Sequence, residues 1–115
     1  MLVPSDAVLL RIFVGEDDRA GKLPLYEAIV LAAREAKLAG ATVLRGPAGF
    51  GRSSRLHTTK ILRLSQNLPI VIEIVDSEEK ITAFVPTLEK LMGSGLVTLE
   101  EVKVLRYVDG KPAGG

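Results

Sequence analysis

The sequence predicts an α+β fold of the ferredoxin-like βαββαβ plan, with a four-stranded antiparallel sheet carrying two helices on one face. Three observations lead there. Residues 7–15 and 68–75 alternate apolar side chains with a period of two, as strands do. Each is followed by a segment with apolar residues at helical spacing, and each of those helices by a further strand-like run. The resulting order, β-α-β twice, puts the first and third strands at the sheet centre, and these two carry the most continuous apolar runs.

The bulk properties agree with one domain. A chain of 115 residues with 47% hydrophobic and 25% charged residues is long enough for one core. A domain over residues 1–108 and a Gly/Pro-rich flexible tail over 109–115 are expected. The formal net charge of +1 excludes a global basic field for nucleic acid, so any cationic patch must be local. The absence of cysteine excludes disulfides and thiolate metal sites and fits a cytoplasmic protein. No run approaches the roughly 18 apolar residues of a spanning helix, so direct membrane insertion is not expected.

In the first strand Val8, Leu10, Ile12 and Val14 share one face, with Leu9, Arg11 and Phe13 on the other. Glu16, Asp17, Asp18 and Arg19 form a charged turn ending at Gly21. Pro24 suits the first turn of a helix over 25–39, rich in Ala, Leu and Glu, with Gly40 as its αL cap. A short strand over 41–45 leads into a loop, after which 61–64 continues as an extended arm of uncertain course. In the strand over 68–75, Ile70, Ile72 and Ile74 oppose Val71, Glu73 and Val75. Asp76 and Ser77 can cap the second helix, Asp76-x-x-Glu79 resembles a capping box, and Pro86 lies inside that helix. Gly93-Ser94-Gly95 closes it, and the last strand is expected over 97–108.

The face turned away from the helices is too apolar for open water. It is expected to carry Leu9, Phe13, Val71, Val75, Leu105 and Tyr107, with Arg11, Glu73 and Lys103 as paired charges among them. Other subunits would cover it.

The stretch between the second and third strands carries the chemistry. Gly46, Gly49 and Gly51 free the backbone, and Arg45, Arg52, Arg55, Lys60 and Arg63 supply charge beside four hydroxyls with no carboxylate between them. Such a loop suits phosphate or an acidic partner surface, or serves as a solvated hairpin loop. Phe50 would stack on a base or pack beneath the loop. Enzyme constellations are weak. His57, the sole histidine, sits in the basic loop without a Ser-His-Asp order or a metal spacing. The acidic 16–18 cluster reads more readily as a solvated turn than as a cation site. The glycine run lacks both the Walker ending and the dinucleotide spacing. A ferredoxin-like sheet that binds RNA would present stacking aromatics, which are lacking.

Several motifs carry a resemblance that spans nearly the whole chain. They are LLRIFVGEDDR (9–19), PLYEAIV (24–30), GATVLRGPAGFG (40–51), LSQNLPIVIEIVD (64–76) and VTLEEVKV (97–104). Together they resemble the domain of unknown function 190 family, relatives of PII signal-transduction proteins. The resemblance implies a non-enzymatic homotrimer with a nucleotide in the cleft between subunits. It implies a loop, over roughly 49–64, that contacts a membrane transporter or an enzyme. The family's association with ion channels implies a transport-regulating role. Two features depart from the PII pattern: the loop has no uridylylation tyrosine, and only Gly93-Ser94-Gly95 faintly matches the second glycine-rich nucleotide loop. ATP and 2-oxoglutarate binding are therefore not carried over residue by residue.

The resulting expectation is a PII-like regulator that binds an anionic effector, an adenine nucleotide, through Arg45, Gly46, Gly49, Gly51, Arg52, Lys103 and Arg106. Phe50, Arg52, Arg55, His57, Lys60 and Arg63 would form the partner-binding loop. The alternative is a ligand-free interaction module docking on an acidic partner.

Overall fold

The computed structural model describes residues 3–47, 49 and 67–105. The element order is β1 (Ser5–Gly15), β2 (Arg19–Ala20), β3 (Leu23–Pro24), α1 (Leu25–Glu35), β4 (Thr42–Arg45), β5 (Pro69–Asp76), α2 (Glu78–Leu91) and β6 (Leu96–Val104). The main sheet runs β4-β5-β1-β6, all neighbours antiparallel, so the ferredoxin-like order expected from the sequence is the order found.

The alternation in β1 and β5 fixes the core. Val8, Leu10, Ile12 and Val14 from β1 and Ile70, Ile72 and Ile74 from β5 are buried together beneath the helices. From α1 come Leu25, Ile29 and Ala33, and from α2 Ile81, Phe84 and Leu88. Each large apolar side chain contributes about 1.5–3 kcal/mol on burial. Among the described residues no buried polar side chain interrupts this layer.

Several local expectations are corrected. Helix α1 ends at Glu35, not at residue 39, and its left-handed cap residue is Lys37 at φ 61°, not Gly40. The Leu38 amide donates to Ala33 O (3.1 Å) and the Lys37 amide to Arg34 O (3.0 Å), which is the Schellman pattern. Leu38 also packs against the core, and that contact outweighs the cost of a β-carbon in the left-handed region. A two-residue ladder, β2 with β3, occupies the turn after the acidic cluster, and Gly21 supplies its positive φ. Pro24 lies just outside α1, at its N-cap position. In α2 the cap is Ser77, whose Oγ accepts the Lys80 amide, so the Asp76–Glu79 box does not form. Asp76 instead accepts the amides of Ala39 (2.8 Å) and Ser77 (2.7 Å), tying the end of the first half to the start of α2.

The last correction concerns β6. Its register sets Val102 opposite Ala7 and Lys103 opposite Asp6. Directly opposed residues share a face, so Leu96, Val102 and Val104 lie with Leu9, Arg11 and Phe13, whereas Lys103 lies on the helix-bearing side. Apolar residues occur at both parities in this strand, so its pattern alone does not choose a face. Pairing with β1 chooses it. The strand ends at Val104, so Leu105, expected on the open face, lies beyond it; the rest of the expected extension to residue 108, the arm over 61–64 and the tail over 109–115 lie outside the described residues.

Candidate functional site

One end of the sheet gathers the termini of three strands. The C-terminal ends of β1 and β4 and the N-terminal end of β5 meet where the chain leaves for, and returns from, the long β4–β5 connection. We call this end the neck. It is built largely from backbone hydrogen bonds. The Gly46 amide donates to Pro69 O (2.8 Å), fixing the departing chain. The Glu16 amide donates to Leu68 O (2.8 Å) and the Asp17 amide to Asn67 Oδ1 (2.8 Å), fixing the returning chain on the turn after β1.

That turn is itself closed by its sequence. The Asp18 carboxylate accepts the Gly15 amide (2.8 Å), the Asp18 amide returns to Gly15 O (3.2 Å), and Asp18 O takes the Leu25 amide (2.7 Å) at the start of α1. Two glycines are required by proximity. A Cβ at Gly15 would stand 2.6 Å from Asn67 Oδ1, and one at Gly46 2.7 Å from Pro69 Cγ. Within the acidic cluster the Asp18 carboxylate thus closes the turn, and the Asp17 amide pins it to Asn67. Among the described residues no group of three or more His, Cys, Asp or Glu side chains is arranged to hold a metal ion.

Arg45, the last residue of β4, brings a positive charge to the neck. Its Nη2 lies 2.5 Å from Glu16 Oε2, and the Arg45 side chain is still 56% exposed. Register places both on the helix-bearing side: Arg45 pairs with buried Ile70, and Glu16 lies two residues beyond buried Val14. An exposed guanidinium can donate to a phosphate or carboxylate, provided Glu16 yields it; the Gly46 amide, expected to join it, is instead spent on Pro69 O.

The predicted effector residues divide into three groups. Arg45, Gly46 and Gly49 lie together at the neck, Gly49 wrapping Pro69 such that a Cβ would come within 3.3 Å of Pro69 Cγ. Lys103 lies toward the opposite end of the sheet, opposite Asp6, with which its ammonium pairs. That contact holds the Lys103 ammonium above its ordinary pKa. Val14, at the neck, is eight residue steps along β1 from Asp6, which is about 26 Å of strand. One chain therefore does not bring Arg45 and Lys103 together. Gly51, Arg52 and Arg106, and the loop residues Phe50, Arg55, His57, Lys60 and Arg63, lie outside the described residues. Sequence reasoning missed Asn67 and Pro69, and noticed Glu16 only as part of an acidic run. Its pairing with Arg45 spans two strands and has no local signature.

The sheet face away from the helices also bears on function. Leu9, Phe13 and Val71 are half-buried, and Leu44, Val75 and Leu96 are exposed. At its centre Arg11 Nε donates to Glu73 Oε2 at 2.8 Å, the pairing expected from the sequence, and Arg11 Nη1 lies 3.8 Å from Glu100 Oε1. A shallow depression at the N-terminal turn of α2, lined by Ser77, Glu78, Glu79, Thr82 and Ala83, carries two carboxylates and lies away from the neck. No described helix is long and apolar enough to cross a membrane.

Comparison with known proteins places this geometry in a family. A UPF0166 protein of Aquifex aeolicus (strain VF5) is 43% identical over 99 residues, covering 84% of this chain and 91% of the relative. A UPF0166 protein of Methanocaldococcus jannaschii is 34% identical over 101 residues, covering 87% and 93%. Among solved structures, a PII-like signaling protein from Thermus thermophilus superposes with a TM-score of 0.63 at 17% identity, covering 89% of this chain and 92% of that one. CPII from Thiomonas intermedia K12, bound to ADP and bicarbonate, superposes with a TM-score of 0.58 at 20% identity, covering 92% and 95%. A further structure of that nitrogen regulatory PII-like protein holds ADP, AMP and bicarbonate. At these identities the structural likeness establishes a shared PII-like fold. The DUF190 family model, described as "Uncharacterized ACR", matches residues 7–104, and with relatives at 43% and 34% identity the chain belongs to the DUF190 (UPF0166) family.

Proposed function

We propose that the protein is a non-enzymatic, PII-like regulator that assembles as a homotrimer and binds an adenine nucleotide between subunits. The β4–β5 connection would then act on a partner, a membrane transporter or channel or an enzyme. The observation that carries this reading is the neck. A solvent-facing arginine and two glycines pressed on Pro69 stand at the root of the connection, in a fold whose relative CPII has been seen with ADP and AMP. The apolar open face supports self-association, since a sheet face left to water is ordinarily polar. Lys103 reaches a neck only if that neck belongs to a second copy, so an effector touching both residues requires an assembly. Nucleotide binding would shift the population of connection conformers and so the affinity for the partner.

The Arg45–Glu16 pair supports a second reading, a docking module without a small ligand. In it the neck's described cation is already compensated and only the partner surface matters. Thermal unfolding in the presence of ADP, AMP and ATP, with light scattering on the same sample, separates the two. A ligand at about 100 times its Kd stabilises by about 2.7 kcal/mol. A rise in midpoint for an adenine nucleotide on a trimer is expected. A flat panel on a trimer would favour the docking module, and a monomer would remove the inter-subunit cleft.

A further inference from the structure

We infer that Glu16 is a built-in competitor for the effector, an internal carboxylate that occupies Arg45 until an anionic ligand group displaces it. This rests on the reading of the neck as the effector site and adds a regulatory contact to it. Glu16 Oε2 lies 2.5 Å from Arg45 Nη2, and the Glu16 side chain is half-buried at 26% exposure, while Arg45 is the more open partner at 56%. The carboxylate thus approaches from the protein side, and the guanidinium keeps its outer edge toward solvent. Arg45 alone is an ordinary exposed cation. Arg45 with Glu16 behind it is one whose charge is withheld.

Glu16 is also held in place by the chain whose behaviour is at issue. Its amide is bonded to Leu68 O, the next residue's amide to Asn67 Oδ1, and the residue after Arg45 to Pro69 O. The competing carboxylate and both ends of the β4–β5 connection are therefore fixed to one another through three hydrogen bonds. A ligand that takes Arg45 leaves Glu16 without its counter-charge beside Asn67 and Leu68, and this couples occupancy of the site to the contacts those two residues make with the turn. Among the described residues no other ion pair joins the β1–α1 turn to β4.

The test is a double-mutant cycle read by calorimetric titration with ADP and AMP. Four proteins are compared: wild type, Glu16→Gln, Arg45→Ala and the double variant. Glutamine keeps the size and hydrogen-bonding reach of Glu16 but removes its charge. If Glu16 competes through Arg45, Glu16→Gln binds ADP about two- to fivefold more tightly, the range set by an exposed ion pair. The gain shrinks as salt is raised. With Ala at position 45 the same substitution changes nothing. Equal affinity of wild type and Glu16→Gln overturns the inference and leaves the effector site standing. A gain that persists with Ala at 45 also overturns it, because Glu16 would then repel the ligand directly. No binding of either nucleotide by any of the four overturns the effector reading, and the inference falls with it.

Discussion

The two ends of the central strand pair are held in different ways, although both carry opposite charges. At the neck the Gly15 amide finds its acceptor within the turn, and the amides of Glu16, Asp17 and Gly46 find theirs across the chain on Leu68, Asn67 and Pro69. At the far end Asp76 holds the Ala39 and Ser77 amides, while an exposed pair, Lys103 with Asp6, joins β6 to β1 through flexible side chains. The first arrangement fixes geometry; the second chiefly balances charge. An exposed pair in mobile side chains gains little, because solvent screens it and ordering it costs entropy. The neck is thus preorganised by bonds that the Lys103–Asp6 pair does not supply, and it is where the β4–β5 connection leaves and returns.

Substitutions can break that contrast, beginning with the largest expected effect. Gly46→Val places side-chain atoms into Pro69 Cγ, where a Cβ alone would already lie at 2.7 Å. It should cost about 1–3 kcal/mol of stability in urea denaturation, with an unchanged denaturant slope. Asn67→Ala removes the acceptor of the Asp17 amide and should cost about 1 kcal/mol. Lys37→Gly, away from the neck, relieves the left-handed residue that caps α1 and should stabilise by about 0.5–1 kcal/mol. It serves as a control showing that the assay registers gains as well as losses. Lys103→Met should have the smallest effect. The Asp6 carboxylate raises the Lys103 pKa in the folded state, so the pair's contribution is present below the ordinary lysine value of about 10.4 and fades as pH rises through the raised one. Wild type and Lys103→Met should therefore differ slightly at neutral pH and converge in strong alkali, followed by thermal melts. A neutral-pH loss for Lys103→Met as large as that for Gly46→Val would erase the distinction between the neck and that exposed pair.

The fold was legible in the sequence where a single period decides. Val8, Leu10, Ile12 and Val14, and Ile70, Ile72 and Ile74, alternate cleanly and are buried as the alternation requires. Even the Arg11–Glu73 pair could be expected, because both interrupt the same apolar face of adjacent strands. Legibility failed where two local solutions compete. Gly40 is the better left-handed residue, but Leu38 reaches the core only if the helix turns at Lys37. In β6, Val97 and Leu99 alternate as plausibly as Leu96 and Val102, and only pairing with β1 selects the face. The candidate site was legible as a set of residue types but not as an arrangement. Arg45 was recognisable as a cation and Gly46 as a close backbone approach, but not that the Gly46 amide is taken by Pro69 O. That Glu16 withholds Arg45, that Asn67 pins the turn, and that Lys103 stands about 26 Å of strand away are consequences of register, which no local spacing encodes.

That separation gives the most direct test of the account. ADP titration of wild type, Arg45→Ala and Lys103→Ala, each checked by light scattering, asks whether two residues at opposite ends of one chain serve one ligand. If the effector lies between copies, wild type binds as a trimer and both variants remain trimers. Each then loses about tenfold or more in affinity, the worth of a charge-assisted hydrogen bond. Wild-type affinity in Lys103→Ala, or ADP binding by a monomer, would contradict an inter-subunit site built from both ends of the sheet.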